Sequence, residues 1–314
     1  MDISILIVNW NTRDLLDDCL HSVYDTVHGI DFEVVVVDNA SGDGSAEMVA
    51  EKHTPAKLIA NSENVGFAAA NNQAYRVSSG DYVLLLNPDT VVREDAITRL
   101  LTVARENESR AAVAPKLLWS DGSVQPSVGE FPTISHELLD ALCLTRMLGR
   151  KHSSRFFVPR RDDIRDIPWA CGACLLVRRK AVTGNNILDE RYFMFSEETD
   201  LCKSLTDRGW RVCYEPGAVV VHLGGASTSM ARQEMLAQLY ESRFLYFAKH
   251  HGMLYANVYR LGVLPLHLLV RTAGYLPSLL ARQPTYTLRQ THPLSQLRVL
   301  ADLTHWSAKP EVDS

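Results

Sequence analysis

The segment Asn87-Pro88-Asp89-Thr90 follows an apolar run, Val83-Leu84-Leu85-Leu86, so it reads as the end of a buried strand that delivers one carboxylate to a sheet edge. A carboxylate oxygen fixed there is a natural ligand for a hard divalent cation such as Mg2+ or Mn2+. Pro88 holds Asn87 in extended backbone and stiffens the turn, although a helix cap before Glu94 would use the same aspartate. Further on, Ser196-Glu197-Glu198-Thr199-Asp200 packs three acids into four residues at a helix start. Mutual repulsion there can raise one carboxyl pKa into the range of a general base, and acids in a first turn also suit the helix dipole without any catalytic role. Asn9-Trp10-Asn11 and Asp38-Asn39 place further polar groups where two other apolar runs stop. Together these residues point to an anionic ligand held beside a cation, with a carboxylate placed to accept a proton. There is neither a GxGxxG nor a GxxxxGK[ST] sequence, so a glycine-rich phosphate cradle is excluded and a cation must offset the phosphate charge.

The elements that must position these groups alternate at the spacing of a parallel α/β sheet. Strands are expected over residues 3–8, 33–37, 57–60, 82–86 and 111–114, and helices over 14–27, 45–52, 67–79 and 94–107. Three of the strands end in the polar clusters above, at the edge where open α/β sheets bind ligands. Residues 119–166 turn irregular and proline-containing and read as an insertion or a lid. A strand over 173–177, a helix over 198–208 and two short strands, 212–214 and 219–222, follow. The final third is an amphipathic helix, 233–249, and an apolar stretch, 253–280, broken by Arg260, Pro265, His267, Arg271 and Pro277. Its longest charge-free run is shorter than the roughly 20 residues of a spanning helix, so it reads as a helix lying on a membrane surface or packing on protein. The expected organisation is a domain over 1–228, divided into a nucleotide-binding half, 1–117, and an acceptor-side half, 118–228, followed by a helical segment, 229–314.

With 46% hydrophobic and 22% charged residues among 314, the composition is that of a globular chain with a sizeable core. The formal net charge of −5 supplies no basic field for a phosphate backbone, which excludes nucleic acid as the expected partner. Met1-Asp2 leads into an apolar run without a basic leader, so a cytoplasmic protein with reduced thiols is expected, stationed at the inner face of the membrane if the C-terminal segment docks there. Cys171-Gly-Ala-Cys174 has CxxC spacing, but no second pair follows at zinc-finger distance, and the pair reads as structural.

Five ordered blocks resemble the motifs of family 2 glycosyltransferases of the GT-A fold: Ile7-Val8-Asn9-Trp10-Asn11; Val37-Asp38-Asn39-Ala40-Ser41 with Asp43-Gly44-Ser45; Asn64-Val65-Gly66-Phe67-Ala68 with Asn72; Asn87-Pro88-Asp89; and Ser196 to Leu201. More narrowly they resemble the bacterial rhamnosyltransferase-like branch. The resemblance spans residues 1–225 and implies a Rossmann-like, mostly parallel sheet with helices on both faces, followed by a helical C-terminal segment. It implies that Asp38 binds the base of a nucleotide sugar, that Val8, Asn9 and Asn11 cup base and ribose, and that Asn64, Gly66 and Asn72 lie beneath ribose and diphosphate. Asn87 and Asp89 match a DxD metal motif in which the first aspartate is here an asparagine, leaving Asp89 as the main protein carboxylate on Mg2+ or Mn2+. His222 matches a second metal ligand. Glu198 matches the general base, with Asp200 as the competing candidate, while Trp169, Asp189 and Glu197 match the acceptor side. Trp169 suits a buried core equally well.

The reaction so implied is an inverting transfer, with L-rhamnose from dTDP-rhamnose the favoured donor and a UDP-hexose or UDP-galactofuranose an alternative. The implied acceptor is a cell-surface or lipid-linked glycan of polysaccharide or cell-wall biosynthesis. Two rivals remain open on the residues alone. A sugar-nucleotide nucleotidyltransferase would need glycines that Asn9-Trp10-Asn11-Thr12 lacks, and a non-catalytic nucleotide-sugar-binding scaffold would have no use for Asp89, Glu198 and His222 together.

Overall fold

The computed structural model describes residues 1–142, 156–157, 163–224 and 232–270. Parts of the insertion and the apolar stretch beyond residue 270 lie outside the described residues. Two compact units are formed, one from 1–131 and 156–227, the other from 132–155 and 228–314.

The larger unit is built on a nine-stranded sheet. Strand β1 (Ile3–Asn9) lies between β2 (Phe32–Asp38) and β4 (Tyr82–Leu86), with β3 (Lys57–Ala60) beyond β2, and these four run parallel. Next to β4 come β11 (Cys174–Arg178), antiparallel to both its neighbours, then β6 (Arg110–Leu118) and β12 (Arg211–His222), which are parallel to each other. Short strands β5 (Thr90–Val92) and β9 (Arg165–Ile167) pair antiparallel with β12. The remaining strands, β7 (Val128–Gly129), β8 (Phe156–Phe157) and β10 (Trp169–Ala170), make a separate small sheet.

Period-two alternation sorts the strand residues between two cores. Ile3, Ile5, Ile7, Val34, Val36, Leu84 and Leu86 face helices α1 (Arg13–Thr26), α2 (Ser45–Lys52) and α4 (Ala96–Glu106). Leu6, Val8, Val35, Val37, Val83 and Leu85 face α3 (Phe67–Val77) and α6 (Glu197–Asp207). Apolar burial on both faces is why these strands read as unbroken β-branched and leucine runs. Arg178 is buried at the end of α4, where its guanidinium donates to the carbonyls of Ala104, Asn107 and Arg110, meeting helix-terminal acceptors that would otherwise lack partners.

The strands over 57–60 and 82–86 and the helix over 45–52 form with the expected bounds. Residues 211–222, read as two short strands, form one continuous strand instead. Its register against β6 shifts between Glu215 and Val219, where Pro216 and Gly217 bulge out of the ladder and mimic a break.

In the smaller unit, α5 (Ile134–Ala141), from the segment read as irregular, clusters with α7 (Arg232–His251) and α8, which begins at Met253. The Ile134 amide donates to the Tyr255 hydroxyl (2.7 Å) and Arg243 pairs with Glu137 (3.3 Å). Helix α8 continues to residue 270 through a π-turn at Tyr259–Val263. That turn lies just before Pro265, whose missing donor would leave an ordinary helix one bond short. The helix over 253–270 is long and apolar enough to meet the length and composition of a spanning segment, which the charge-free run alone did not suggest.

At the amino edge of the sheet, the buried Glu33 accepts from Ser4 Oγ (2.8 Å), Ser79 N (2.7 Å), Ser79 Oγ (3.0 Å) and Lys57 Nζ (2.7 Å). Burial pushes its carboxyl up, but these donors outweigh it and hold the pKa down at about 2 against an ordinary 4.5. Because the folded value is the lower one, this stabilisation is complete above the ordinary value and is lost as pH falls towards about 2. Glu33→Gln is therefore expected to lower stability at neutral pH by on the order of 2 kcal/mol. In urea titrations repeated at successively lower pH, the gap between the two proteins should shrink towards nothing.

Candidate active site

The carboxyl ends of β1, β2, β4 and β12 reach one edge, which also receives the residues entering β11, since Cys174 pairs with Leu86. At the β1–β2 corner, Asn9 is wholly buried opposite Asp38. Its amide donates to Asp38 Oδ1 (2.9 Å) and Ser41 Oγ (3.1 Å), and its carbonyl accepts from Thr12 Oγ1 (2.6 Å). Asp38 Oδ2 takes the Ser41 amide (2.9 Å). Asn11, in left-handed backbone at φ 54, accepts from Gly42 N (2.7 Å) and donates its own N–H to Ser41 Oγ (2.9 Å). This network ties two strand-end loops together. Val8 packs in the core, and the Asn9 side chain is engaged by Asp38, Ser41 and Thr12 beneath this corner.

Asn39, quoted in a motif but assigned no role, organises the next loop. Its side chain donates to Asn64 Oδ1 (2.9 Å) and Gly66 O (3.2 Å) and accepts from Asn61 Nδ2 (3.0 Å) and Val65 N (3.2 Å). Gly66 sits at φ +88 with the Phe193 ring and carbonyl 2.7 Å from where a Cβ would stand, and Phe67 N donates to Phe193 O (2.7 Å). The loop before α3 is thus fastened to the segment leading into α6. Asn72, expected beneath the donor diphosphate, is wholly buried: it accepts from the amides of Ile187 (2.9 Å) and Leu188 (3.0 Å) and donates to Leu188 O (2.8 Å) and Glu190 (3.1 Å). It staples residues 187–190 to α3. Trp169, one of whose readings was a sugar-stacking wall, is a core side chain with no exposed surface, and its indole N–H donates to Glu130 O (2.7 Å). Asp189 is gripped by the Arg191 guanidinium and amide.

Where the chain leaves β4, Asp89 and His222 come together, because His222 pairs with Thr90 across β5 and β12. His222 Nε2 stands 3.4 Å from Asp89 Oδ1, and both residues are nearly buried. The other ring nitrogen, Nδ1, lies 2.9 Å from Gln125 Oε1. An amide oxygen can only accept, so Nδ1 donates to it and Nε2 is left facing the carboxylate. A divalent cation between them would find one nitrogen and one oxygen ligand. The Asn87 amide oxygen, two residues earlier, is buried without a hydrogen-bond partner among the described residues. Gln125 had no signal in the sequence, being 97 residues from the histidine it orients and inside the irregular stretch.

The acidic turn opens α6. Ser196 and Phe195 are both left-handed, at φ 68 and 69, which swings the first turn back over the edge. Glu197 and Asp200 are buried, and the Tyr192 hydroxyl donates to Asp200 Oδ1 (3.4 Å), whereas Glu198 retains solvent access. Gly172 makes room for Glu198, whose Cβ would lie 3.2 Å from any Cβ at that position. Burial, followed by the negative charges of Glu198 and Asp200, raises the Glu197 carboxyl well above its ordinary value. The half-buried Cys171 thiol is pushed up to about 12 by burial, then by Glu198, with Asp89 and Glu197 adding to it. The charges of Asp89 and Glu198 therefore both act on this thiol.

A family model for glycosyl transferase family 2 matches residues 4–183, more than half of the chain. The chain belongs to glycosyl transferase family 2. Among curated relatives, it is 28% identical over 231 residues to an N-acetylglucosaminyl-diphospho-decaprenol L-rhamnosyltransferase of Mycobacterium tuberculosis, covering 70% of this chain and 75% of the relative. It is 30% identical over 167 residues to rhamnosyltransferase WbbL of Escherichia coli, covering 50% of this chain and 60% of that one. The solved structure of mannosyltransferase PcManGT from Pyrobaculum calidifontis, in complex with GDP-Man and Mn2+, superposes with a TM-score of 0.57 at 17% identity, covering 98% of this chain and 88% of that one. The sheet and its helices are those of a GT-A glycosyltransferase, and the chain is a glycosyltransferase whose curated relatives include rhamnosyltransferases.

The electrostatic link between Glu198 and Cys171 can be read without any activity. In a Cys143→Ser background, Glu198→Gln removes the strongest charge acting on the Cys171 thiol and is expected to raise its rate of iodoacetamide alkylation at mildly alkaline pH several-fold. Mass spectrometry of the Cys171 peptide measures this, and an unchanged rate would separate the two residues.

Proposed function

We propose that the chain transfers L-rhamnose, with inversion, from a nucleotide-activated donor to a lipid-linked glycan acceptor, and that Glu198 is the general base. The observation that supports this reading is that Asp89 stands beside His222 and Glu198 beside Gly172, with the charges of both Asp89 and Glu198 acting on the Cys171 thiol. The naming of two relatives as rhamnosyltransferases, one acting on a decaprenol-linked sugar, supports the donor and acceptor class.

Asp38 lies at the end of β2 where a base and ribose would rest, above the support made by Asn9, Asn11 and Ser41. Asn64 and Gly66 shape the loop on the diphosphate side. Asp89 and His222 would hold a divalent cation, with the Asn87 amide oxygen a neutral ligand in place of the carboxylate usual in a DxD motif. Bound there, Mg2+ or Mn2+ supplies the positive charge that stabilises the departing nucleoside diphosphate. Glu198 takes the proton from the acceptor hydroxyl as its oxygen attacks the anomeric carbon. The bond from that carbon to the phosphate oxygen breaks, its electron pair leaves with the diphosphate, and the configuration inverts. Glu198 suits this role better than Asp200 because it is the acid with solvent access, whereas Asp200 is buried against Tyr192. Burial, and then the charges of Glu198 and Asp200, push the Glu197 carboxyl well above its ordinary value, which favours its neutral form beside the acceptor.

A second reading concerns where the enzyme works. On the helix starting at Met253, the exposed residues Leu254, Val258, Leu261 and Leu269 recur at helical spacing, while Ala256, Tyr259, Val263, Leu264 and Leu268 are buried. An apolar stripe of this kind suits docking in the interfacial layer of a membrane, beside a lipid-linked acceptor.

Glu198→Gln is expected to lower kcat by about 10²- to 10⁴-fold while dTDP-rhamnose binding, followed by calorimetry with Mn2+, stays near wild type. Asp200→Asn should cost far less, and the reverse ranking would move the base to Asp200. For the membrane reading, Leu254→Glu with Leu261→Glu should release most of the protein from sedimenting anionic vesicles. Equal sedimentation of variant and wild type would assign the stripe to protein packing.

A further inference from the structure

Away from the sheet edge, Asp17, His21 and His53 bring three ligand atoms within 4.8 Å of one another. Asp17 and His21 are four residues apart on α1 and so share one face of the helix, a spacing that lets two side chains reach one ion. His53 closes α2, where its backbone N–H bonds to Val49 O, and its buried ring stacks on Tyr24. Its Nε2 lies 2.7 Å from Asp17 Oδ1, and His21 Nε2 lies 3.5 Å from the same oxygen. The other oxygen, Asp17 Oδ2, is held by Lys52 Nζ at 2.6 Å. The two imidazole rings meet edge to face, with centroids 5.0 Å apart.

We propose that Asp17, His21 and His53 form a binding site for a transition-metal dication of the Zn2+ class, clipping α1 to α2. One hydrogen bond from His53 would suffice to join the helices, yet a second imidazole nitrogen is directed at the same carboxylate oxygen from beyond hydrogen-bonding distance. At metal–ligand distances of about 2.0–2.2 Å, the ligand atoms of a tetrahedral zinc site stand about 3.4 Å apart. The His21–Asp17 separation already matches, and the His53–Asp17 hydrogen bond needs to lengthen by less than about 1 Å to admit the ion. Lys52 stays on the outer oxygen and fixes the carboxylate's orientation, the part played by groups one layer out from a metal. Two imidazoles and one carboxylate favour Zn2+ and Co2+ over Mg2+, and water would complete the tetrahedron. None of these residues takes part in the sheet-edge site, so the two ion sites are separable by experiment.

The test uses tag-free full-length protein in buffer with excess Mg2+, to which Zn2+ or Co2+ is added. Co2+ should develop the intense visible absorption of a tetrahedral site at one equivalent, and Zn2+ should quench it and raise the melting temperature. His21→Ala removes a ligand that is 62% exposed in its side chain, so the fold should survive. It is expected to weaken Zn2+ binding by about tenfold or more and to leave transfer activity intact, and Asp17→Asn should weaken binding likewise. His222→Ala should leave the Co2+ spectrum unchanged. The absence of a tetrahedral spectrum, its persistence in His21→Ala, or its loss in His222→Ala would each overturn the proposal.

Discussion

Asp89, Glu197 and Glu198 all bear on the thiol of Cys171, at an edge where much of the surrounding surface is already buried. Crowded carboxylates repel, and the repulsion grows as water is withdrawn. The molecule answers in two ways. Burial and the charge of Glu198 push the Glu197 carboxyl well above its ordinary value, while Gly172 leaves room for Glu198 and the β5–β12 pairing sets Asp89 beside His222. The gap between Asp89 and His222 is faced by a carboxylate oxygen and by Nε2, because Gln125 holds the other ring nitrogen. Catalysis by a family 2 enzyme asks for this combination: negative groups close enough to share one substrate, yet separated enough to do different work.

Most of the frame was legible because it repeats a simple pattern. Strands buried on both faces must be apolar throughout, so Val34 to Val37 and Val83 to Leu86 admit little else, and the polar residues that end them mark the working edge. The side chains were harder to assign. Asn9 and Asn72 are amides in the right motifs, but amides serve equally well as internal fasteners, and hydrogen bonds to Asp38 and to residues 187–190 claim them. Trp169 is ambiguous in sequence for the same reason, since an indole can stack on a sugar or fill a core. Gln125 could not have been found at all. The acidic turn named its three carboxylates but not their difference in exposure, which depends on Phe195 and Ser196 rotating the start of α6.

The smaller unit shows a different limit. Periodicity identified the helix over 233–249 but not α5, which is recruited from a distant stretch read as irregular, through Ile134 and Glu137. Pro265 looks like a break in sequence. In the structure the π-turn absorbs it, and the helix runs on to residue 270.

Phe193 joins the two halves of the edge: its carbonyl and ring lock onto Phe67 and Gly66, and five residues later stands Glu198. With no side chain at Gly66 to give way and two left-handed residues in between, that short tether has little slack. In the proposed arrangement, with the donor on the Gly66 side and the acceptor beside Glu198, a displacement of the loop is therefore felt at the carboxylate. Linkage then runs both ways: whatever free energy one substrate spends in settling that loop is returned as a change in affinity for the other. The geometry of a single phenylalanine thus sets how far the two half-sites can be filled independently.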